Sequence, residues 1–244
     1  MLKKSLALLL ALLLLASLAA CATTEDPLQS TPSDPATDLE DPAPLRVKSG
    51  TVPNSDLTWE LYTDGILYIK GTGDMGDFEE NSGISTRQPW HDYIANDEGY
   101  TIKKVIVEEG VTSLSRGAFQ NCINLETVEV NSAVTIIPEK CFNRCVMLRT
   151  VRAKGVVEIG DAAFQHCDYL TTLTVSASLH TVWDGAFSEC ATKSTSFAVR
   201  LAGNQAEWDA AKAKMAESAE DEFDIWTGNE LLLTALEKVS FVSK

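Results

Sequence analysis

The chain has 244 residues and carries 35 Asp and Glu against 20 Lys and Arg, a formal net charge of −15 at pH 7. That balance, with no basic cluster and no nucleic-acid reader motif, argues against DNA or RNA as a partner, because phosphate contacts need grouped Lys and Arg. The acidity favours solubility and repulsion from other anionic surfaces.

The chain begins with Lys3 and Lys4, followed by a nearly pure Leu and Ala run from Leu6 to Leu18. These are the charged and apolar regions of a secretory signal peptide, expected over residues 1–20. The uncharged stretch from Ser5 to Ala22 has eighteen residues, the short limit for spanning a bilayer, so a retained signal anchor is the competing reading. Leu18-Ala19-Ala20-Cys21 resembles the lipobox of bacterial lipoproteins. The resemblance implies cleavage before Cys21 and acylation of its thiol and new amino terminus. Lipid on Cys21 would then hold the protein at a membrane, at about 0.8 kcal/mol per buried methylene. Loss of residues 1–20 would remove two lysines and take the net charge from −15 to −17.

Residues 21–46 read as a lipidated, disordered tether. Between Ala22 and Leu45 lie Pro27, Pro32, Pro35, Pro42 and Pro44, and six acids without one base. So few apolar groups cannot offset the entropy of ordering the segment. Its reach is roughly 25–30 Å.

Residues 47–101 read as a β-rich N-terminal capping module. Leu57, Trp59 and Leu61 alternate, and Asp64-Gly65 precedes Leu67 and Ile69, which signals a hairpin. Gly71, Gly73 and Gly76 spell G-x-G-x-x-G. A dinucleotide site would need a helix to follow, presenting its amides to phosphate. Asp77-Phe78-Glu79-Glu80-Asn81-Ser82-Gly83 follows instead, so the motif is read as a tight turn.

Residues 102–202 repeat. Phe119, Phe142, Phe164 and Phe187 are 23, 22 and 23 residues apart. Each is followed three residues later by Cys122, Cys145, Cys167 and Cys190, and preceded by a small residue and, five residues back, an aliphatic. The shorter step places a one-residue deletion at Lys154-Gly155. A period of this length with L-x-x-L-x-L spacing marks a leucine-rich-repeat solenoid, in which stacked coils share one core. Parallel strands are expected at Ile102–Val107, Leu125–Val130, Leu148–Ala153, Leu170–Val175 and Ser196–Leu201, joined by short turns or 3-10 segments.

The pattern resembles the BspA-like subclass of leucine-rich repeats, whose coils read roughly L-x-x-V-x-x-P-x-x-V-x-x-I-G-x-x-A-F-x-x-C. Val156 to Cys167 is the best copy, while Ser115, Pro138 and Trp183 replace the Gly of the other coils. The resemblance extends to Leu57-Thr58-Trp59, Gly71 to Met75 and Pro89-Trp90 before the repeats. Behind them it takes in Gly203 to Trp208 and Thr227-Gly228-Asn229-Glu230. It implies a surface-displayed interaction protein and possible adhesin. Residues 203–244 form an α-containing C-terminal cap. Asn204 with Glu207 starts a helix, and Trp208, Ala211 and Met215 share one face.

The five remaining cysteines are read as buried thiols. Equivalent positions of stacked strands lie about 4.8 Å apart with parallel side chains, whereas a disulfide needs converging Cβ atoms. Cys141 and Cys145, in one turn, are the pair best placed to depart from this. A line of sulfurs does not make a tetrahedral zinc site, and His166 occupies a variable slot. His91, His166 and His180 sit in unlike contexts with no nucleophile elbow. No catalytic residue, metal or cofactor is expected.

The candidate binding face is the outward side of the strands: Lys103, Lys104, Glu126, Glu129, Arg149, Arg152, Thr172 and Thr174. The expected rows are Lys103, Glu126, Arg149, Thr171; Lys104, Thr127, Thr150, Thr172; and Ile106, Glu129, Arg152, Thr174, Ala198. Alternating charges could simply be cross-strand pairs. The face is expected to lack the aromatic anchors of tight interfaces. The functional expectation is a non-catalytic, surface-exposed lipoprotein anchored through Cys21, binding a protein or glycan on a host or neighbouring cell. The alternatives are a lipoprotein capturing a saccharide or peptide for uptake, with a cleft lined by Trp59, Trp90 or Trp183, and a structural envelope component.

Overall fold

Val, Ile and Leu alternating with Thr and charged residues give each coil one short strand, with its branched side chains packed inward. A computed structural model describes residues 43–76, 88–94, 101–218 and 229–244. The expected signal peptide, Cys21, most of the tether, Asp77–Gly83 and Thr227-Gly228 lie outside these residues. The strands are β1 (Arg46–Thr51), β2 (Thr58–Tyr62), β3 (Ile66–Lys70), β4 (Lys104–Val107), β5 (Thr127–Val130), β6 (Ile136–Ile137), β7 (Thr150–Ala153), β8 (Glu158–Ile159), β9 (Thr172–Ser176), β10 (Thr181–Val182), β11 (Ala198–Ala202) and β12 (Ser240–Val242). A 3-10 turn (His91–Tyr93) precedes the coils, and helices α1 (Gln205–Ser218) and α2 (Glu230–Leu236) follow them.

Among the described residues the main sheet runs β1-β2-β3-β4-β5-β7-β9-β11-β12, with β6, β8 and β10 forming a second, three-stranded sheet. From β3 to β12 every pairing in the main sheet is parallel. The chain is a leucine-rich-repeat solenoid with helices at its C-terminal end.

The strands begin two residues later than the spacing suggests. Leu125, Leu148 and Leu170 do not open strands; each closes the preceding turn by donating its N–H to Cys122, Cys145 or Cys167 at 3.0, 2.9 and 3.1 Å. The inter-coil ladder nevertheless starts there, because the carbonyls of Lys103, Glu126 and Arg149 each accept two N–H groups from the next coil. At the N-terminal end, Arg46 belongs to β1 rather than the tether: it pairs with Tyr62 and its guanidinium reaches Glu60 at 2.8 Å.

The Phe-x-x-Cys turns close the other side. The residue before each Cys takes the left-handed conformation, with φ of 63° at Asn121, 60° at Arg144, 58° at His166 and 53° at Glu189. The N–H of each of the first three Phe residues donates to the next coil: Phe119 to Cys141, Phe142 to Ala163 and Phe164 to Ala186, at 2.8–2.9 Å. The rings stack in file, with centroids 5.4 Å apart for Phe119–Phe142, 5.5 Å for Phe142–Phe164 and 5.1 Å for Phe164–Phe187. These offset stacks follow the rise of the coils. At Lys154-Gly155 the shortened connection brings backbones together: a Cβ on Gly155 would lie 2.1 Å from the Ser132 carbonyl oxygen.

Both ends of the stack are closed by side chains standing in for a missing coil. Trp90 extends the ring file, 5.3 Å from Phe119, and its Nε1 donates to the Ala118 carbonyl at 3.0 Å. At the far end Phe187 has no coil ahead of it. Its N–H donates to the Asn229 side-chain oxygen at 3.2 Å, while Asn229 Nδ2 donates to the Trp183 carbonyl at 3.0 Å. Asn229 is fully buried. The α1 capping box forms as its spacing requires: Asn204 Oδ1 accepts from Ala206 and Glu207, and Glu207 accepts from the Asn204 N–H. β12, unforeseen in the sequence reading, then adds a strand beside β11.

Candidate interaction face

The alternation of each strand decides which residues face outward. Val105, Val128, Val151, Leu173 and Val199 point into the core, which leaves their neighbours outside. The register aligns Lys104, Thr127, Thr150, Thr172 and Ala198 in one row. It aligns Ile106, Glu129, Arg152, Thr174 and Arg200 in the next, with Ser240 of β12 beyond Arg200. Ala198 therefore belongs to the first row and not beside Thr174. Seven residues separate Cys122, Cys145 and Cys167 from Glu129, Arg152 and Thr174, but ten separate Cys190 from Arg200. Three extra residues in the last turn carry the register past the counted position.

Lys103, Glu126, Arg149 and Arg152 are exposed, and Lys104, Glu129 and Thr172 are half-buried. Thr174 faces outward but is only 6% exposed. It sits between Arg152 and Arg200 in its row. Glu129 is shared by Lys104 Nζ at 3.1 Å and Arg152 at 3.3 Å, so this part of the charge pattern is cross-strand pairing. Arg149 instead lies over the Tyr169 ring, 5.2 Å from its centroid, and Lys193 approaches the same ring at 5.7 Å.

The face also extends further than the repeats. β3 is parallel to β4, which sets Tyr68 beside Ile106, and Glu60 of β2 lies opposite Tyr68. Tyr62 and Tyr68 meet edge to face at 5.5 Å, and Lys70 lies 5.0 Å from the Tyr68 centroid. Aromatics are thus present on the strand face, contributed by the N-terminal hairpin. The D-G turn signal revealed that hairpin, but nothing in the sequence reading joined its sheet to the repeats. Hydrogen bonds from Lys70, then Arg46, hold the Glu60 carboxyl down at about 2, against the desolvation that opposes them. A depression of about 320 Å³ lies between Pro44, Tyr62, Asp64, Tyr68 and Lys70. A second, about 560 Å³, follows the C-terminal ends of β4, β5 and β7 past Glu108, Glu129, Arg152 and Lys154.

Other candidate chemistry resolves into structure. Cys122, Cys141, Cys145, Cys167 and Cys190 are free and buried. Cys145 Sγ donates to the Phe119 carbonyl at 3.1 Å and Cys167 Sγ to that of Phe142 at 3.2 Å. Burial pushes all five thiols upward, Cys190 to about 12, so they pack as small apolar groups. Among the described residues no group of three His, Cys, Asp or Glu is placed to hold a metal ion. His180 Nδ1 lies 2.9 Å from Thr181 Oγ1, and His166 Nδ1 lies 3.5 Å from Glu189.

Gly73 exchanges backbone hydrogen bonds with Gly110 and Thr112, and Asp74 accepts one from the Thr112 hydroxyl at 2.5 Å. The glycine-rich motif therefore ties the hairpin to the first coil. Trp59 and Trp90 are core residues, 4% and 0% exposed, with rings edge to face at 6.4 Å. Trp183 is 45% exposed, with its Nε1 bonded to Glu158. The three indoles line no common cleft among the described residues. An apolar groove of about 630 Å³ lies between α1 and α2, walled by Trp208, Met215, Leu233 and Leu236. No described helix is long and apolar enough to cross a membrane.

Residues 97–203 match the family described as BspA type Leucine rich repeat region, in six copies. No sequence among curated proteins matches. Three similar solved structures are leucine-rich repeat proteins. One from Eubacterium ventriosum ATCC 27560 is 22% identical, with a TM-score of 0.47, and covers 64% of this chain and 44% of its own. A leucine rich cell surface protein from Faecalibacterium prausnitzii A2-165 is 22% identical, with a TM-score of 0.41, and covers 67% of this chain and 42% of its own. A leucine rich repeat protein of T. pallidum is 21% identical, with a TM-score of 0.39, and covers 62% of this chain and 72% of its own. The chain thus spans less than half the length of the first two.

Proposed function

We propose, from the premise that the repeats of residues 97–203 belong to the BspA type leucine rich repeat family, that the protein is a surface-exposed, non-catalytic interaction lipoprotein. It is exported, cleaved before Cys21 and held at the membrane by lipid. Its outward strand face meets a protein or glycan on a host or neighbouring cell. Repeats of this type suggest an interaction role, and stacked coils make an extended surface suited to it.

The observation that carries the reading is the division of labour across each strand. Inward positions form one uninterrupted core, whereas outward positions carry exposed charge, hydroxyls and the Tyr62–Tyr68 pair. Capture for uptake in a tryptophan-lined cleft is not supported, since Trp59 and Trp90 are consumed by the core.

The full chain, exposed to matrix proteins, glycans and cell-surface preparations, is expected to capture a partner and to lose it in R149E/R152E. Capture undiminished in that variant contradicts the strand-face reading. Separately, labelled palmitate is expected to enter the wild-type chain in its bacterial host and not Cys21→Ala; equal labelling of both contradicts the anchor.

A further inference from the structure

The strand face changes in charge along its length. Its N-terminal half mixes Glu60, Glu126 and Glu129 with Lys70, Lys103 and Lys104. Its C-terminal half, formed by β7, β9, β11 and β12, contains no Asp or Glu in any strand, in a chain of net charge −15. What faces outward there is a run of hydrogen-bond donors: Arg152, Thr174, Arg200 and Ser240 in one row, and Thr150 and Thr172 in the next.

Arg152 and Arg200 flank Thr174 two strands apart, roughly 9.6 Å. Among the described residues Arg152 pairs with Glu129 alone, and Lys104 shares that carboxylate. Arg200 has no ion pair among the described residues, and Arg149 is engaged by a ring and not by a carboxylate. Thr174 is only 6% exposed as a residue, and its hydroxyl, which makes no hydrogen bond among the described residues, stays accessible between the two arginines. That hydroxyl can donate to an acceptor carried by a ligand. Guanidinium groups pair with carboxylates and sulfates through two parallel hydrogen bonds.

We propose that this half of the face, centred on Arg152, Thr174 and Arg200, binds a polysaccharide bearing carboxylates or sulfates. Protein hot spots centre on Trp, Tyr and Arg packed into a desolvated pocket, whereas the aligned outward positions of these strands supply Thr, Arg, Ala and Ser with no aromatic residue among them. A glycan needs charge partners and hydroxyl donors along a shallow track. Pyranose rings advance by a step close to the strand spacing, so alternate anionic sugars fall opposite Arg152 and Arg200. This inference rests on the strand face being the interaction surface and names what the face takes.

The purified full chain is tested for binding to polygalacturonate, dextran sulfate, neutral dextran and poly-glutamate, with R152Q/R200Q and, as control, K212Q on α1. The expected result is binding to polygalacturonate or dextran sulfate, whichever charge the site takes, and none to neutral dextran. Binding should weaken at least tenfold in R152Q/R200Q, at unchanged thermal midpoint, and stay unchanged in K212Q. Binding to neither anionic glycan overturns the proposal, as does equal binding to poly-glutamate or an equal loss in K212Q. If a matrix or cell-surface partner is still captured and lost in R149E/R152E while no anionic glycan binds, this inference alone fails. If that capture also fails, the strand-face reading falls with it.

Discussion

Glu60 shows how a single residue ties the N-terminal hairpin together. Its carboxylate takes Arg46 from β1, Lys70 from β3 at 2.9 Å and the Tyr62 hydroxyl at 3.0 Å. Its folded pKa, about 2, lies below the ordinary 4.5. The unfolded chain therefore binds the proton more readily, and the stabilisation is present above about 4.5 and lost as pH falls towards 2. Urea unfolding between pH 5 and 2 should show a steeper loss for the wild type than for Glu60→Gln; parallel curves would contradict it. The residue scale is also where the sequence was least legible. Thr174 and Thr172 look alike in the repeat, yet only Thr174 lies between two arginines. Tyr68 could be placed beside Ile106 only once β3 was seen to pair with β4.

The left-handed slot before each Cys makes a similar point. It reads as variable because its side chains share no chemistry, yet all four adopt φ between 53° and 63°. Side chains with a Cβ are strained there, and glycine is not. Relief of the left-handed penalty, less glycine's entropy cost in the unfolded chain, should make Arg144→Gly more stable by about 0.5–1 kcal/mol, seen as a higher thermal midpoint. A lower midpoint would mean that glycine's freedom in the unfolded chain outweighs the relief of strain.

The coils themselves could be read from the sequence because their period repeats the same physical need in every turn. A ring fills the interior, a small thiol sits beside it, and branched residues alternate along the strand. Strand starts were misplaced because a Leu closing a turn and a Leu opening a strand obey the same spacing. The ends were harder, since each occurs once. Trp90 replaces a Phe without its Cys, and Asn229 acts through a side-chain amide that stands in for a whole coil. Asn229→Leu leaves the Phe187 N–H unpaired in a buried site and takes from the Trp183 carbonyl one of its two donors, the other being the Ala186 N–H. It should cost about 1–3 kcal/mol or more in denaturant unfolding. A change within a few tenths would show that the C-terminal closure does not depend on it.

For the whole molecule, the core is a closed system. Rings stack in file, thiols donate to backbone carbonyls, and Trp90 and Asn229 cover the ends. Partner recognition is left to what the strands present outward. The Phe-x-x-Cys rungs thus define the fold and carry no chemistry of their own. Photo-crosslinking shows whether partners meet the strand face. A photoreactive residue is placed at Thr172 on that face, at Ile136 on the second sheet or at Lys212 on α1, and the full chain is exposed to matrix and cell-surface preparations. A covalent partner adduct is expected from position 172, as the strand-face reading requires, and none from 136 or 212. Adducts from position 136 or 212, with none from 172, would contradict it.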